Sequence, residues 1–137
     1  MQISARVSSG AQGHDVHVDT AGVARSLEVP SKPGGKGSAV NGGEFLMLAL
    51  ATCYCNDLYR EAARMGIPLD AVEVEATASF DGVGLAASGI RYRARVTSPA
   101  CDSEIAALLR ETDAVAEVHN TLRKGVPVQL TTWQSER

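Results

Sequence analysis

The sequence predicts an α+β fold in which antiparallel β-sheets wrap around one long central helix. Three observations carry this. Several stretches alternate apolar and polar residues at period two, the mark of half-buried strands. Glycine-rich turns join the first of these stretches end to end, as in a meander. Between the strand groups lies one long run, Gly43 to Met65, that is apolar on every side in its first half. Runs of strands separated by helices, with antiparallel signals, define α+β rather than a parallel α/β sheet.

Residues 1–9 place Ile3, Ala5 and Val7 on one side and Gln2, Ser4 and Arg6 on the other. Gly10 to Gly13 turns the chain, His14 to Asp19 alternates again through Val16 and Val18, and Thr20-Ala21-Gly22 leads into a third strand over Val23 to Val29. Pro30 to Gly43 holds two Pro, five Gly and two Lys in fourteen residues, which excludes regular structure and suits a functional or mobile connection. The helix expected over Gly43 to Met65 is about 33 Å long at 1.5 Å per residue. A helix apolar all round is expected to be buried. Gly66 fits a left-handed C-cap, and Pro68 prevents continuation.

Val72 to Phe80 alternates strictly and ends in the turn Asp81-Gly82-Val83-Gly84. Ile90 to Thr97 puts Arg91, Arg93 and Arg95 on one face, where pairing with Glu73 and Glu75 across the strands is expected. After the loop Ser98 to Asp102, with Asp102 or Ser103 as N-cap, Ile105, Leu108 and Leu109 mark a short amphipathic helix. Ala114 to Leu122 is helical by pattern and Gly125 ends it. Val126, Val128, Leu130 and Thr132 predict a last strand.

One domain of 137 residues with 45% apolar and 21% charged residues is an ordinary globular composition. The net charge of -3 and the lack of a basic stripe argue against nucleic-acid binding. The longest apolar run, Phe45 to Ala51, is too short to span a bilayer. The start, Met1 to Arg6, carries no apolar signal-peptide core, and three cysteines make an odd number. A reducing, cytoplasmic setting follows as the expectation. Cys53 and Cys55 are spaced C-x-C with no second pair. His14 and His17 point to opposite faces of a strand. No metal and no cofactor is expected.

Two segments carry a family resemblance. Glu44-Phe45-Leu46-Met47-Leu48-Ala49-Leu50-Ala51-Thr52-Cys53 is similar to the Glu-Leu-Leu-Leu-Ala-Ala-Leu-Ala-x-Cys helix of the OsmC/Ohr family of thiol-dependent proteins. Ala116-Glu117-Val118-His119-Asn120-Thr121-Leu122-Arg123-Lys124-Gly125-Val126-Pro127-Val128 resembles that family's Cys-Pro-Val-x-Asn-Thr-Leu-x-x-Gly-Val-x-Val. The loop Gly34-Gly35-Lys36-Gly37 stands where the family has a Gly-rich approach to the helix. The resemblance implies two intertwined subunits, with active sites at the dimer interface. It also implies a peroxidatic cysteine that attacks a hydroperoxide and becomes a sulfenic acid, a resolving cysteine that closes a disulfide, and an Arg and a Glu that activate the first thiol.

Cys53 aligns with the peroxidatic cysteine and is the nucleophile candidate. Its apolar setting disfavours the thiolate that such chemistry needs, so an inert buried thiol is the alternative. Ala116 occupies the resolving position, which rules out the family's intramolecular disulfide. Cys55 cannot replace it, because residues two apart on a helix face different ways. Gly43 stands where the peroxidase members carry their Glu, and no Arg aligns in the turn around Gln12 to Asp15. Glu44 remains as a catalytic candidate or as a carboxylate facing the helix dipole. His119, one turn after Ala116, is a candidate partner for Cys53. Asn56 and Asp57 form, with Arg60, a polar stripe that is a candidate binding surface; a solvated face is the simpler reading for Arg60.

Two functions from different classes are expected. One is a homodimeric peroxidase that reduces organic or hydrogen peroxides at Cys53, with an external thiol as resolver. The other is a non-catalytic homodimer that binds a small apolar ligand at the subunit interface.

Overall fold

The computed structural model describes residues 1–133. Its elements run β1 (Ile3–Gly10), β2 (Gly13–Thr20), β3 (Val23–Leu27), α1 (Gly42–Met65), β4 (Ala71–Ser79), β5 (Ser88–Thr97), α2 (Asp102–Val115) and α3 (Glu117–Lys124). Antiparallel sheets and three helices make this α+β. The chain divides into two compact units, Met1–Leu46 and the part from Met47 onward.

In the first unit β1, β2 and β3 form the expected meander in sequential order. Val7 pairs with Val16 and Val16 with Leu27, so the period-two apolar positions share one face of the sheet. Val16 is buried, while Ile3, Val7, Val23 and Leu27 on the outer strands stay exposed. The Pro30–Gly43 connection is more ordered than its composition suggests. Ser31 bridges to Ser38, the Lys32 N–H donates to the Gly37 carbonyl, and the Gly37 N–H donates to Ser9 Oγ at 2.9 Å. Gly34, Gly35 and Gly37 all have positive φ, and this lets so short a segment fold back on itself. Helix α1 then starts with a reciprocal capping box. The Asn41 N–H donates to Glu44 Oε1 at 3.0 Å and the Glu44 N–H donates to Asn41 Oδ1 at 2.8 Å.

In the second unit α1 buries a narrow stripe, Leu50, Tyr54, Leu58 and Ala62, spaced one turn apart. Leu58, Ala62 and Tyr54 pack with Ile67, Leu108 and Ala116, and Val72, Val74, Tyr92, Ala94 and Val96 of the β4–β5 hairpin lie against this cluster. The hairpin register places Glu73 opposite Arg95 and Glu75 opposite Arg93. Ion pairs of 3.5 Å and 3.1 Å join them on the solvated face, as the alternation predicts.

Four expectations need correction. Helix α1 is not buried all round: Leu48 is 57% exposed. Only the stripe with spacing near 3.6 meets the core of its unit. The helix expected from Ala114 is broken at Ala116, which is extended at φ -73, ψ 107 and separates α2 from α3. The N-cap of α2 is Cys101 and not Asp102 or Ser103, and no side-chain hydrogen bond caps the helix. Finally, Val126 to Thr132 forms no strand. Its alternation is right for one, but a strand needs a partner edge, and no other described segment pairs with it; Val128 and Leu130 are fully exposed.

Gly66 and Gly125 behave as expected, with φ of 69° and 60° directly after α1 and α3. Leu108 has no solvent exposure at the centre of the second unit. Leu108→Ala is expected to destabilise the protein by about 2–5 kcal/mol in urea denaturation, whereas Val83→Ala, at a fully exposed position, is expected to change stability by less than about 0.5 kcal/mol.

Candidate functional site around Cys53

Cys53 lies midway along α1, half-buried, one residue before Tyr54 of the buried stripe. That position turns its sulfur toward the junction of α2 and α3. Cys53 Sγ is 3.6 Å from Asp57 Oδ2, one turn further along α1, and 4.0 Å from Glu117 Oε2, the first residue of α3. The break at Ala116 makes this meeting possible. Ala116 is fully buried against the α1 stripe, so the residue after it is delivered to the helix surface beside Cys53.

Arg60 completes the cluster. Its guanidinium contacts Asp57 at 3.0 Å, Glu61 at 3.2 Å and Glu117 at 3.7 Å. Arg64 joins Glu61 at 3.0 Å to Glu111 at 2.9 Å. Asp57 and Glu61 are buried carboxylates, and pairing with these arginines is what makes their burial tolerable. Glu61 is held below the usual carboxylate range by the hydrogen bonds from Arg60 and Arg64.

The electrostatics around the thiol work against ionisation. Burial pushes Cys53 up from its ordinary pKa, and the negative charges of Asp57 and Glu117 push it further. The Val118 backbone N–H pulls the other way without reversing the shift. Asp57 is itself raised, first by burial and then by the nearby Glu117, with Arg60 opposing. A thiol with a raised pKa and a carboxylate with a raised pKa thus face each other across a sulfur–oxygen hydrogen bond. The ligand atoms of Cys53, Asp57 and Glu117 lie within 4.8 Å of one another, a spacing compatible with a divalent cation. Arg60 already supplies the counter-charge at that point.

The other candidates lie elsewhere. Glu44 is exposed, and its carboxylate is engaged in the capping box of α1. Asn56 is exposed on the helix surface, whereas its neighbour Asp57 is buried. His119 is only 3% exposed, and neither ring nitrogen has a hydrogen-bond partner, so it makes no hydrogen bond to Cys53. Its ring packs at 4.3 Å from Tyr92 and 5.9 Å from Tyr54. Tyr54 donates to the Leu109 carbonyl at 2.7 Å and is pushed up to about 12 by burial and by Asp113. Tyr92 donates to Asp113 Oδ1, and Arg123 pairs with the same carboxylate oxygen at 2.6 Å. Burial and the charge of Arg123 depress the His119 pKa, so the ring is neutral near pH 7. A buried polar group left unpaired costs about 1–3 kcal/mol. Cys55 is half-buried and Cys101 is exposed; all three thiols are free.

Of the polar stripe expected from Asn56, Asp57 and Arg60, the structure brings Asp57 to the thiol and leaves Arg60 half-exposed but paired with Asp57, while Asn56 faces solvent. Glu117 is brought in by tertiary packing, which no local pattern reports.

The fold and the thiol helix together define a class, the α+β proteins with a long cysteine-bearing helix. The sequence profile of OsmC-like proteins matches residues 35–131; the chain belongs to that family. Solved structures agree on the fold. An organic hydroperoxide resistance protein OsmC from Legionella pneumophila superposes with a TM-score of 0.63 at 22% identity, with 90% of each chain covered. An OsmC-like protein from Mycoplasma pneumoniae gives 0.65 at 17%, covering 90% of this chain and 88% of the other. An organic hydroperoxide resistance protein from Elizabethkingia anophelis, with thiocyanate bound, gives 0.61 at 16%, covering 90% and 89%. Among curated proteins, none matches the sequence.

If Asp57 holds the thiol protonated, its neutralisation must speed alkylation. In a background where Cys55 and Cys101 are replaced by Ser, Asp57→Asn is expected to raise the bromobimane alkylation rate of Cys53 at pH 7.5 severalfold, since one unit of pKa is about 1.4 kcal/mol. An unchanged rate would remove Asp57 from the electrostatics of the sulfur, and a slower one would mean that its service as proton acceptor outweighs its charge.

Proposed function

We propose that the protein reduces organic hydroperoxides at Cys53 and that an external thiol regenerates it. The observation that carries this reading is the contact of Cys53 Sγ with Asp57 Oδ2 at 3.6 Å, inside a cluster that also holds Arg60 and Glu117. A raised thiol pKa makes a standing thiolate scarce, so a base has to take the proton as the sulfur attacks. Asp57 is in place for that role. Family membership and the hydroperoxide resistance proteins among its structural neighbours point the same way.

The step balances as follows. The sulfur attacks one peroxide oxygen, the S–O bond forms and the O–O bond breaks. The sulfur is oxidised by two electrons and the peroxide is reduced to an alcohol. The thiol proton passes to Asp57 and from there to the departing alkoxide, whose developing charge lies near the Arg60 guanidinium. Cys53 is left as a sulfenic acid. With Ala116 at the resolving position, no second thiol of the chain takes part. A small thiol condenses with the sulfenic acid, releasing water, and a second thiol exchanges the mixed disulfide back to free Cys53.

Peroxide turnover with dithiothreitol as reductant tests this directly. Wild-type protein is expected to consume cumene hydroperoxide at a rate that rises from pH 6.5 to 9, and Cys53→Ser to fall to the buffer rate. Equal rates for the two proteins would end the reading.

The same raised pKa favours a second reading, in which the protein binds a small apolar molecule without turnover. A normal fold with no sulfenate trapped by dimedone after peroxide would select it.

We also propose that the working form is a homodimer. Leu48, Val128 and Leu130 are exposed apolar side chains on a single chain, and a homodimer is the arrangement that the family resemblance implies. A cytoplasmic location suits a thiol cycle of this kind, because small-molecule reductants are abundant there. No helix among the described residues is long and apolar enough to cross a membrane. Sedimentation equilibrium is expected to give twice the chain mass of 14.4 kDa; a single-chain mass at micromolar concentration would contradict the dimer.

A further inference from the structure

Regeneration of Cys53 brings a second sulfur to a site whose charges do not balance. Asp57, Glu61 and Glu117 share the Arg60 guanidinium, and Glu61 and Glu111 share that of Arg64. Four carboxylates meet two guanidinium groups in this network, an excess of two negative charges, or of one while Asp57 holds a proton.

The carboxylates differ in what an incoming molecule can reach. The side chains of Asp57 and Glu61 are only 8% and 11% exposed, and arginine engages both. The Glu117 side chain is 70% exposed. Arg60 meets its Oε1 at the long distance of 3.7 Å, while Oε2 lies on the sulfur side, 4.0 Å from Cys53 Sγ. Glu117 is therefore an exposed and weakly compensated carboxylate at the edge of the thiol. A thiol reacts as its thiolate, which is already anionic. A second negative charge on the same small molecule adds repulsion from Glu117, and a positive charge replaces it with attraction. Arg60 offers an anionic molecule little, because its charge is divided among three carboxylates.

We propose that Glu117 selects the thiol that regenerates Cys53, and that this thiol is a small aminothiol with its ammonium group a short chain away from the sulfur. The inference rests on the peroxidase reading above. The aminothiol sulfur attacks the sulfur of the Cys53 sulfenic acid. An S–S bond forms, the S–O bond breaks, and the hydroxyl leaves as water with the thiol proton. In the mixed disulfide the ammonium group lies against Glu117 Oε2. A second aminothiol then attacks the outer sulfur, Cys53 leaves and takes up its proton, and a small symmetric disulfide departs.

The test uses the full chain with Cys55 and Cys101 replaced by Ser. One equivalent of cumene hydroperoxide converts Cys53 to the sulfenic acid. Intact mass then follows mixed-disulfide formation with cysteamine, mercaptoethanol or mercaptopropionate, which are positive, neutral and negative. Comparing this parent with its Glu117→Gln variant cancels the intrinsic reactivities of the three thiols, and the neutral one reports any change in the sulfur itself. The rate ratio of cysteamine to mercaptopropionate is expected to fall about fivefold on Glu117→Gln. In the parent it is expected to shrink as salt is raised. A ratio that Glu117→Gln leaves unchanged or increases overturns the proposal. If no sulfenic acid forms, the peroxidase reading fails by itself, and the selection is read without peroxide. Cystamine and dithiodipropionate build the same mixed disulfides by exchange with reduced Cys53. A fall in their rate ratio on Glu117→Gln supports selection by Glu117, and an unchanged ratio overturns it.

Discussion

The packing of one narrow helical stripe determines where the chemistry can occur. Leu50, Tyr54, Leu58 and Ala62 recur every fourth residue along α1, and Leu58 and Leu108 are without exposure where α1 meets α2. Each such buried aliphatic side chain contributes about 1.5–3 kcal/mol relative to an exposed one. Ala116, with an extended backbone, is fully buried against the same stripe. That tight approach ends α2, starts α3, and sets Glu117 and the Val118 N–H beside Cys53. Ala116 therefore shapes the environment of Cys53.

The consequence is an electrostatic setting unlike that of a thiol poised as a thiolate. Cys53 has two carboxylates within 4.0 Å, and the Arg60 guanidinium nearby is shared among Asp57, Glu61 and Glu117. Burial and like charge act in the same direction on the sulfur, and one backbone N–H opposes them. Under the proposed reaction, attack by this sulfur is coupled to removal of its proton, the role proposed for Asp57. The ion pairs to the half-exposed Arg60 and Arg64 hold the carboxylates of Asp57 and Glu61 in position.

Much of this was legible in the sequence, for identifiable reasons. Period-two alternation gave the meander and the β4–β5 hairpin, including the Glu73–Arg95 and Glu75–Arg93 pairs. The glycines at positions 66 and 125 marked helix ends because only a residue without a side chain adopts positive φ cheaply. The family resemblance singled out Cys53 as the candidate thiol, and Asp57 was a candidate only as part of a polar stripe with Asn56 and Arg60. What local patterns missed depends on packing or on a partner edge. The apolar run from Phe45 to Ala51 does not show which side meets the core, and Leu48 proved exposed. The alternation of Val126 to Thr132 shows a capacity to pair without showing a strand to pair with. Glu117 and Arg60 became part of the site through tertiary contact, and the isolation of His119 could be seen only once its neighbours were known.

The most direct measurement is the ionisation of Cys53 itself, followed by thiolate absorbance near 240 nm in protein whose Cys55 and Cys101 are replaced by Ser. Burial with Asp57 and Glu117 beside the sulfur requires an apparent pKa above the free-cysteine value of about 8.5. A value below 7 would mean that a positive charge, and not the carboxylates of this cluster, governs the thiol.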